Sequence, residues 1–86
     1  MEFYVYILES KSSGRLYIGQ TQDIENRVTE HNEGLTKSTK GKGPWTLLHF
    51  KIFETRTEAM VFERKLKNWK SSQRIKEWID REKTAR

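Results

Sequence analysis

The sequence predicts an α+β fold: a small three-stranded antiparallel sheet flanked by helices, in the order β-β-α-β-α-α. Three observations carry this reading. Phe3–Leu8 and Arg15–Gly19 are short runs rich in aromatic and β-branched residues on either side of a polar turn. Trp45–Phe53 is a third run of the same kind. Between and after the strands, apolar residues recur at i, i+3, i+4 and i+7, the period of an amphipathic helix. Helices with one apolar stripe must bury it, and a small sheet offers the surface.

In the first strand, alternation places Phe3, Val5 and Ile7 on one face and Tyr4, Tyr6 and Leu8 on the other. The segment ESKSSG (residues 9–14) carries the polar and glycine signals of a turn. A turn centred on Lys11–Ser12 sets Tyr6 directly opposite Tyr17 in the returning strand, so the two phenols become neighbours. Thr21 or Asp23 is suited to cap the helix that follows, and Gly34 to end it. On that helix Ile24, Arg27, Val28 and His31 share one stripe. Ile24 and Val28 turn the stripe toward the core, so a guanidinium and an imidazole lie at the core's edge and need partners.

The segment LTKSTKGKG (residues 35–43) is a polar loop closed by Pro44. In the third strand Leu48, Phe50 and Ile52 alternate with Leu47, His49, Lys51 and Phe53. A second helix is predicted from Thr55 or Thr57 to about Lys70, with Ala59, Phe62, Leu66 and Trp69 as its packing stripe. Ser71 or Ser72 caps a last helix packed through Ile75, Trp78 and Ile79, and residues 83–86 are expected to fray. With no internal repeat and no linker-like stretch, residues 1–86 are expected to form one domain.

A chain of this size buries only about 60–65% of its unfolded surface, so its aromatics must supply much of the core. The absence of cysteine excludes disulfides, thiolate metal sites and a cysteine nucleophile. Two histidines are too few for a histidine-rich metal site, so any metal is expected to be a hard cation on oxygen ligands. No apolar run is long enough to span a membrane, and the N-terminus lacks a leader pattern, so a cytoplasmic protein is expected. The net charge of +5 is uneven: residues 1–33 carry three basic and six acidic side chains, residues 34–86 fourteen and six. A basic half of this kind suits a polyanion, and also suits simple solubility.

Tyr4-Val5-Tyr6, then Tyr17-Ile18-Gly19, then Arg27, His31 and Glu63 follow one another in an order that resembles the GIY-YIG nuclease family over roughly residues 3–70. The resemblance implies a sheet-and-helix module that cleaves DNA phosphodiesters with one divalent cation, Mg²⁺ or Mn²⁺. It implies that Tyr17 takes a proton from the attacking water and that Tyr6 places the water or the phosphate. A phenol titrates near ~10, so a phenolic base needs a cation or a histidine beside it. Arg27 would hold phosphate oxygens as charge builds. His31 would relay a proton between Tyr6 and solvent or protonate the leaving oxygen. Glu63 would hold the metal, which keeps much of its hydration.

Each residue also has an ordinary structural reading. Tyr17 fits a cross-strand aromatic, Tyr4 a core residue, Arg27 a partner for Glu30, His31 a satisfied helix-end histidine, and Glu63 an i,i+4 partner for Lys67. Lys37, Lys40 and Lys42 on the glycine-rich loop, with Lys67 and Lys70, form the expected DNA-facing cluster. Trp45 and Trp69 read as core residues. The chain departs from the family pattern at Tyr4, where the first glycine is usual, and at Gln20, where several members have lysine. It also lacks the asparagine that better-studied members carry about a dozen residues beyond the metal glutamate. The expected geometry brings the two phenols, the guanidinium and the carboxylate to one shallow basic pocket. The alternatives are a non-catalytic nucleic-acid-binding module of the same fold, or a subunit targeted by a partner protein.

Overall fold

A computed structural model describes residues 2–84. Its elements are β1 (Phe3–Ser10), β2 (Leu16–Thr21), α1 (Ile24–Asn32), β3 (Trp45–Phe53), α2 (Arg56–Trp69) and α3 (Ser72–Thr84). The sheet is antiparallel throughout, with β1 in the centre in the order β2-β1-β3. This is the α+β architecture and element order expected from the sequence. No helix among the described residues is long and apolar enough to cross a membrane.

The central strand feeds two cores because both its faces are apolar. Val5 and Ile7, with Ile18, meet Ala59 and Leu66 of α2 and Ile75 and Ile79 of α3. Tyr6 and Leu8 on the opposite face meet Trp45, with Tyr17, Val28 and Leu47 packed around them. The helices therefore divide: α2 and α3 cover one face, and α1 the other. Local chemistry sets their ends. Asp23 caps α1 by accepting from the Asn26 amide, and Thr55 and Glu58 form a reciprocal capping box on α2. Ser71 Oγ accepts from the Arg74 amide at the start of α3.

Three expectations are corrected. Tyr6 pairs with Gly19, not Tyr17, and Tyr17 pairs with Leu8. The turn falls later than expected because Gly14, which adopts φ +77°, closes it just before Arg15. The resulting two-residue offset keeps side-chain parity, so both phenols still share a face. In β3 a bulge opposite Ile7 and Leu8 breaks the simple alternation. Leu47 joins the α1-side core while Leu48 joins the other. The third concerns the end of the chain: α3 runs through Lys83 and Thr84, and the remainder of the expected frayed tail lies outside the described residues.

Candidate active site

Tyr6 is the hub of the site. It lies in the centre of the sheet, 1% exposed, because the strand opposite carries only a hydrogen at Gly19. Its hydroxyl is 2.9 Å from His31 Nε2 and 3.4 Å from Arg27 Nε, which donates to it. Both partners come from the α1 stripe, so helical spacing delivers a guanidinium and an imidazole to one phenol. Burial holds the Tyr6 hydroxyl above the usual phenol range, a push that the Arg27 hydrogen bond partly offsets.

His31 is 2% exposed, with both ring nitrogens engaged inside the protein. Its Nδ1 lies 2.7 Å from the hydroxyl of Thr39, on the loop after α1. Burial and then the neighbouring Arg27 charge hold the imidazole below the ordinary histidine value, against a smaller opposing effect of Glu30. So placed, His31 is enclosed together with Tyr6, whose hydroxyl is the partner of its Nε2. Arg27 also bonds Glu30 at 3.0 Å, so its ordinary reading and its place beside Tyr6 coexist. The Tyr6 and Glu30 contacts both favour the charged guanidinium.

Tyr17 packs its ring 4.8 Å from that of His31 and 6.3 Å from those of Tyr6 and Trp45. Its hydroxyl hydrogen-bonds no other described residue. Tyr4 is less buried than expected: its ring meets Phe50 edge-on and its hydroxyl donates to Glu2 at the surface.

Glu63 approaches from the other helix layer. Strand parity puts Tyr6 and Tyr17 on the α1 side of β2, and Gln20 and Glu63 on the α2 side. Because β2 is the edge strand, only one strand's thickness separates them. The Tyr6 hydroxyl senses the Glu63 charge, which adds to the forces raising it. Three shallow grooves run along this edge. Arg27 shares the first with Gln20, and Gln20 shares the second with Glu63 and Lys67. Lys67 shares the third with Tyr17 and Lys70. The expected single pocket is thus a chain of grooves wrapped around β2, with Gln20 and Lys67 as its joints.

Glu63 has a side chain 16% exposed, with one oxygen 2.9 Å from the Gln20 amide and the other 2.7 Å from Lys67 Nζ. Among the described residues no group of three acidic or histidine side chains gathers here or elsewhere. The donor set is one carboxylate beside an amide. It fits a hard divalent cation that retains most of its water, and it does not suit a soft metal.

Of the basic cluster, Lys37, Lys40 and Lys42 are exposed on the loop between α1 and β3, as are Lys67 and Lys70 near the end of α2. The loop is tied down rather than free. Asn32 exchanges two hydrogen bonds with the Trp45 backbone, Ser10 Oγ donates to the Lys42 carbonyl, and Trp45 Nε1 donates to the Thr39 carbonyl. Trp45 and Trp69 both pack in the cores, with the Arg74 guanidinium 4.4 Å over the Trp69 ring.

Two contributors were not among the expected site residues. Gln20 is visible in sequence only as a missing cation after Gly19, yet it holds Glu63. Thr39 lies beyond the reach of helix periodicity, in a loop whose lysines draw the eye.

The chain also resembles known proteins over most of its length. Residues 2–76 match the family profile described as the GIY-YIG catalytic domain. A UPF0213 protein of Haloquadratum walsbyi is 46% identical over 67 residues, 77% of this chain and 74% of that one. One from Clostridium perfringens is 40% identical over 73 residues, 84% of this chain and 77% of that one. The solution NMR structure of a UPF0213 protein from Bacillus halodurans superposes with a TM-score of 0.57 at 38% identity, covering 99% of this chain and 88% of that one. The chain belongs to the GIY-YIG nuclease family.

Proposed function

We propose that residues 1–86 form a single nuclease domain that hydrolyses DNA phosphodiesters with one Mg²⁺ or Mn²⁺, in DNA repair, recombination or processing. The observation that carries this reading is the Tyr6 hydroxyl, held between an imidazole that can take its proton and a guanidinium that can stabilise the resulting oxyanion.

Tyr6, rather than Tyr17, then serves as the base. As the attacking water gives a proton to the Tyr6 oxygen, the Tyr6 proton passes to His31 Nε2, the water oxygen forms the new bond to phosphorus, and the bond to the departing oxygen breaks, that oxygen taking a proton from solvent. Arg27 donates to Tyr6 and, with its remaining N–H groups, to the phosphoryl oxygens as charge develops. Tyr17, at the mouth of the same face, positions the water or the phosphate. Glu63 would hold the metal with water completing its shell, and the ion would supply positive charge opposite the departing oxygen. The exposed lysines of the α1–β3 loop and of α2 would track the DNA backbone.

The two partners already on Glu63 favour the second reading, a module that binds nucleic acid without cutting it. The test is incubation with supercoiled plasmid, single-stranded and branched DNA, with and without Mg²⁺ or Mn²⁺, beside Glu63→Ala, Tyr6→Phe and Arg27→Ala. Metal-dependent nicking by the parent protein alone supports the nuclease. Binding without cleavage under every metal supports the second reading, and equal activity in all four proteins marks a contaminant.

A further inference from the structure

Thr39 is 1% exposed, and its hydroxyl has two neighbours: His31 Nδ1 at 2.7 Å and the Thr36 carbonyl at 3.3 Å. We propose that Thr39 is a positioning residue that fixes the tautomer of His31, leaving Nε2 free to accept the proton of Tyr6.

The argument is a count of protons. The Tyr6 hydroxyl has two hydrogen-bonding neighbours among the described residues, Arg27 and His31. A guanidinium can only donate, so the one acceptor for the Tyr6 proton is His31 Nε2. Nε2 must therefore carry a lone pair, and in a neutral imidazole the proton then sits on Nδ1. That proton needs an acceptor, and the Thr39 oxygen is in place. The Thr39 hydroxyl keeps its own proton for the Thr36 carbonyl, which can only accept. Every donor and acceptor in the chain Arg27, Tyr6, His31, Thr39, Thr36 is then satisfied in one direction. Reversing it gives Nε2 the proton and leaves the buried Tyr6 hydroxyl proton without an acceptor in this network.

The backbone around Thr39 is held in place to do this. Its carbonyl accepts from Trp45 Nε1, and its amide donates to the same Thr36 carbonyl at 3.1 Å. The loop carrying the expected DNA-binding lysines thus also reaches into the site and sets the direction of proton transfer. A valine at this position would match threonine in shape and remove the acceptor for His31, along with the weaker donation to the Thr36 carbonyl, whose bond from the Thr39 amide remains.

The role rests on the nuclease reading for the Tyr6–His31 pair, but its first test needs no cleavage. Long-range ¹⁵N–¹H correlation spectra of the protein without DNA, at a pH where His31 is neutral, report which ring nitrogen is protonated. The expected result is Nδ1–H in the parent protein, Nε2–H in Thr39→Val, and Nδ1–H again in Thr39→Ser. Cleavage should fall by about 10- to 100-fold in Thr39→Val through kcat with KM unchanged, by analogy with the loss seen when the partner orienting a metal-bound imidazole is removed. Thr39→Ser should restore it. An Nε2–H tautomer in the parent protein overturns the proposal, and so does an Nδ1–H tautomer that persists in Thr39→Val. Should Thr39→Val fail to fold, Thr39→Ala takes its place, with Nε2–H again the expected tautomer and a persistent Nδ1–H overturning the proposal. Absence of nuclease activity with the expected tautomers would sink the nuclease reading and leave the tautomer assignment standing.

Discussion

Gly19 and Tyr6 are matched across the first two strands so closely that a Cβ on Gly19 would lie 2.5 Å from the Tyr6 hydroxyl oxygen and 2.7 Å from its Cζ. The glycine is needed here for its missing side chain, because the phenol that bridges His31 and Arg27 lies over it. The middle of an otherwise ordinary edge strand is thereby opened for one hydroxyl.

Gly19→Ala should accordingly displace Tyr6 from its two partners while leaving the sheet formed. Tyr6 is packed on all sides, so the shift should cost about 1–3 kcal/mol, as overpacking usually does. Urea unfolding should show the loss, and cleavage should drop to the level of Tyr6→Phe. A Gly19→Ala protein with full activity would show that the contact is not needed.

Tyr6→Phe keeps the ring and removes the hydroxyl. It leaves His31 Nε2 buried and without its partner, which should destabilise the protein by about 1–3 kcal/mol. DNA binding, measured by fluorescence anisotropy, should stay within about twofold, since exposed lysines supply most of the attraction. Cleavage should fall below detection. Retained cleavage would return the base role to Tyr17.

Lys67→Ala separates the two claims on Glu63. The ammonium is exposed, so the ion pair should be worth only about 0.3–0.5 kcal/mol and the melting temperature should barely move. One carboxylate oxygen is released, so Mn²⁺ titrated by water-proton relaxation should bind more tightly, while Glu63→Gln should bind it far more weakly. Unchanged Mn²⁺ affinity in both variants would remove Glu63 as the metal site.

Burial holds both histidines below the ordinary value of 6.5. Arg27 adds to the effect at His31, whereas at His49 Glu82 opposes it and Lys83 and Lys51 add to it. Below that value the unfolded chain binds protons that the native imidazoles refuse, so stability falls as pH drops through it and is fully present above it. Urea midpoints should decline from about pH 7 to about pH 5, with a shallower slope in His49→Gln. Cleavage should keep its neutral His31 to lower pH than an exposed histidine would allow, so the acidic limb of the rate profile should lie below 6.5. A limb at or above that value would place the titrating group elsewhere.

The core test is Leu66→Ala. Leu66 is fully buried between α2 and the sheet, and truncation should cost about 2–5 kcal/mol. Chemical denaturation measures it directly.

Periodicity alone was enough to read the element order, the packing stripes of α2 and α3, and the α1 stripe that pairs Arg27 and His31 with apolar neighbours. These depend on side chains a few residues apart, whose relative direction is set by local backbone geometry. The residues from Tyr4 to Glu63 also carried the family resemblance, because their order along the chain is itself the signal. Tertiary structure decided everything that joins distant segments. It decided that Tyr6 faces Gly19, since strand register depends on where the chain reverses and Gly14 closes the turn late. It decided that β2 is an edge strand, with Glu63 on the face opposite Tyr6. It decided, finally, that Gln20 meets Glu63 and that Thr39 meets His31, because each contact joins a helix to a strand or a loop whose spacing no periodic pattern relates.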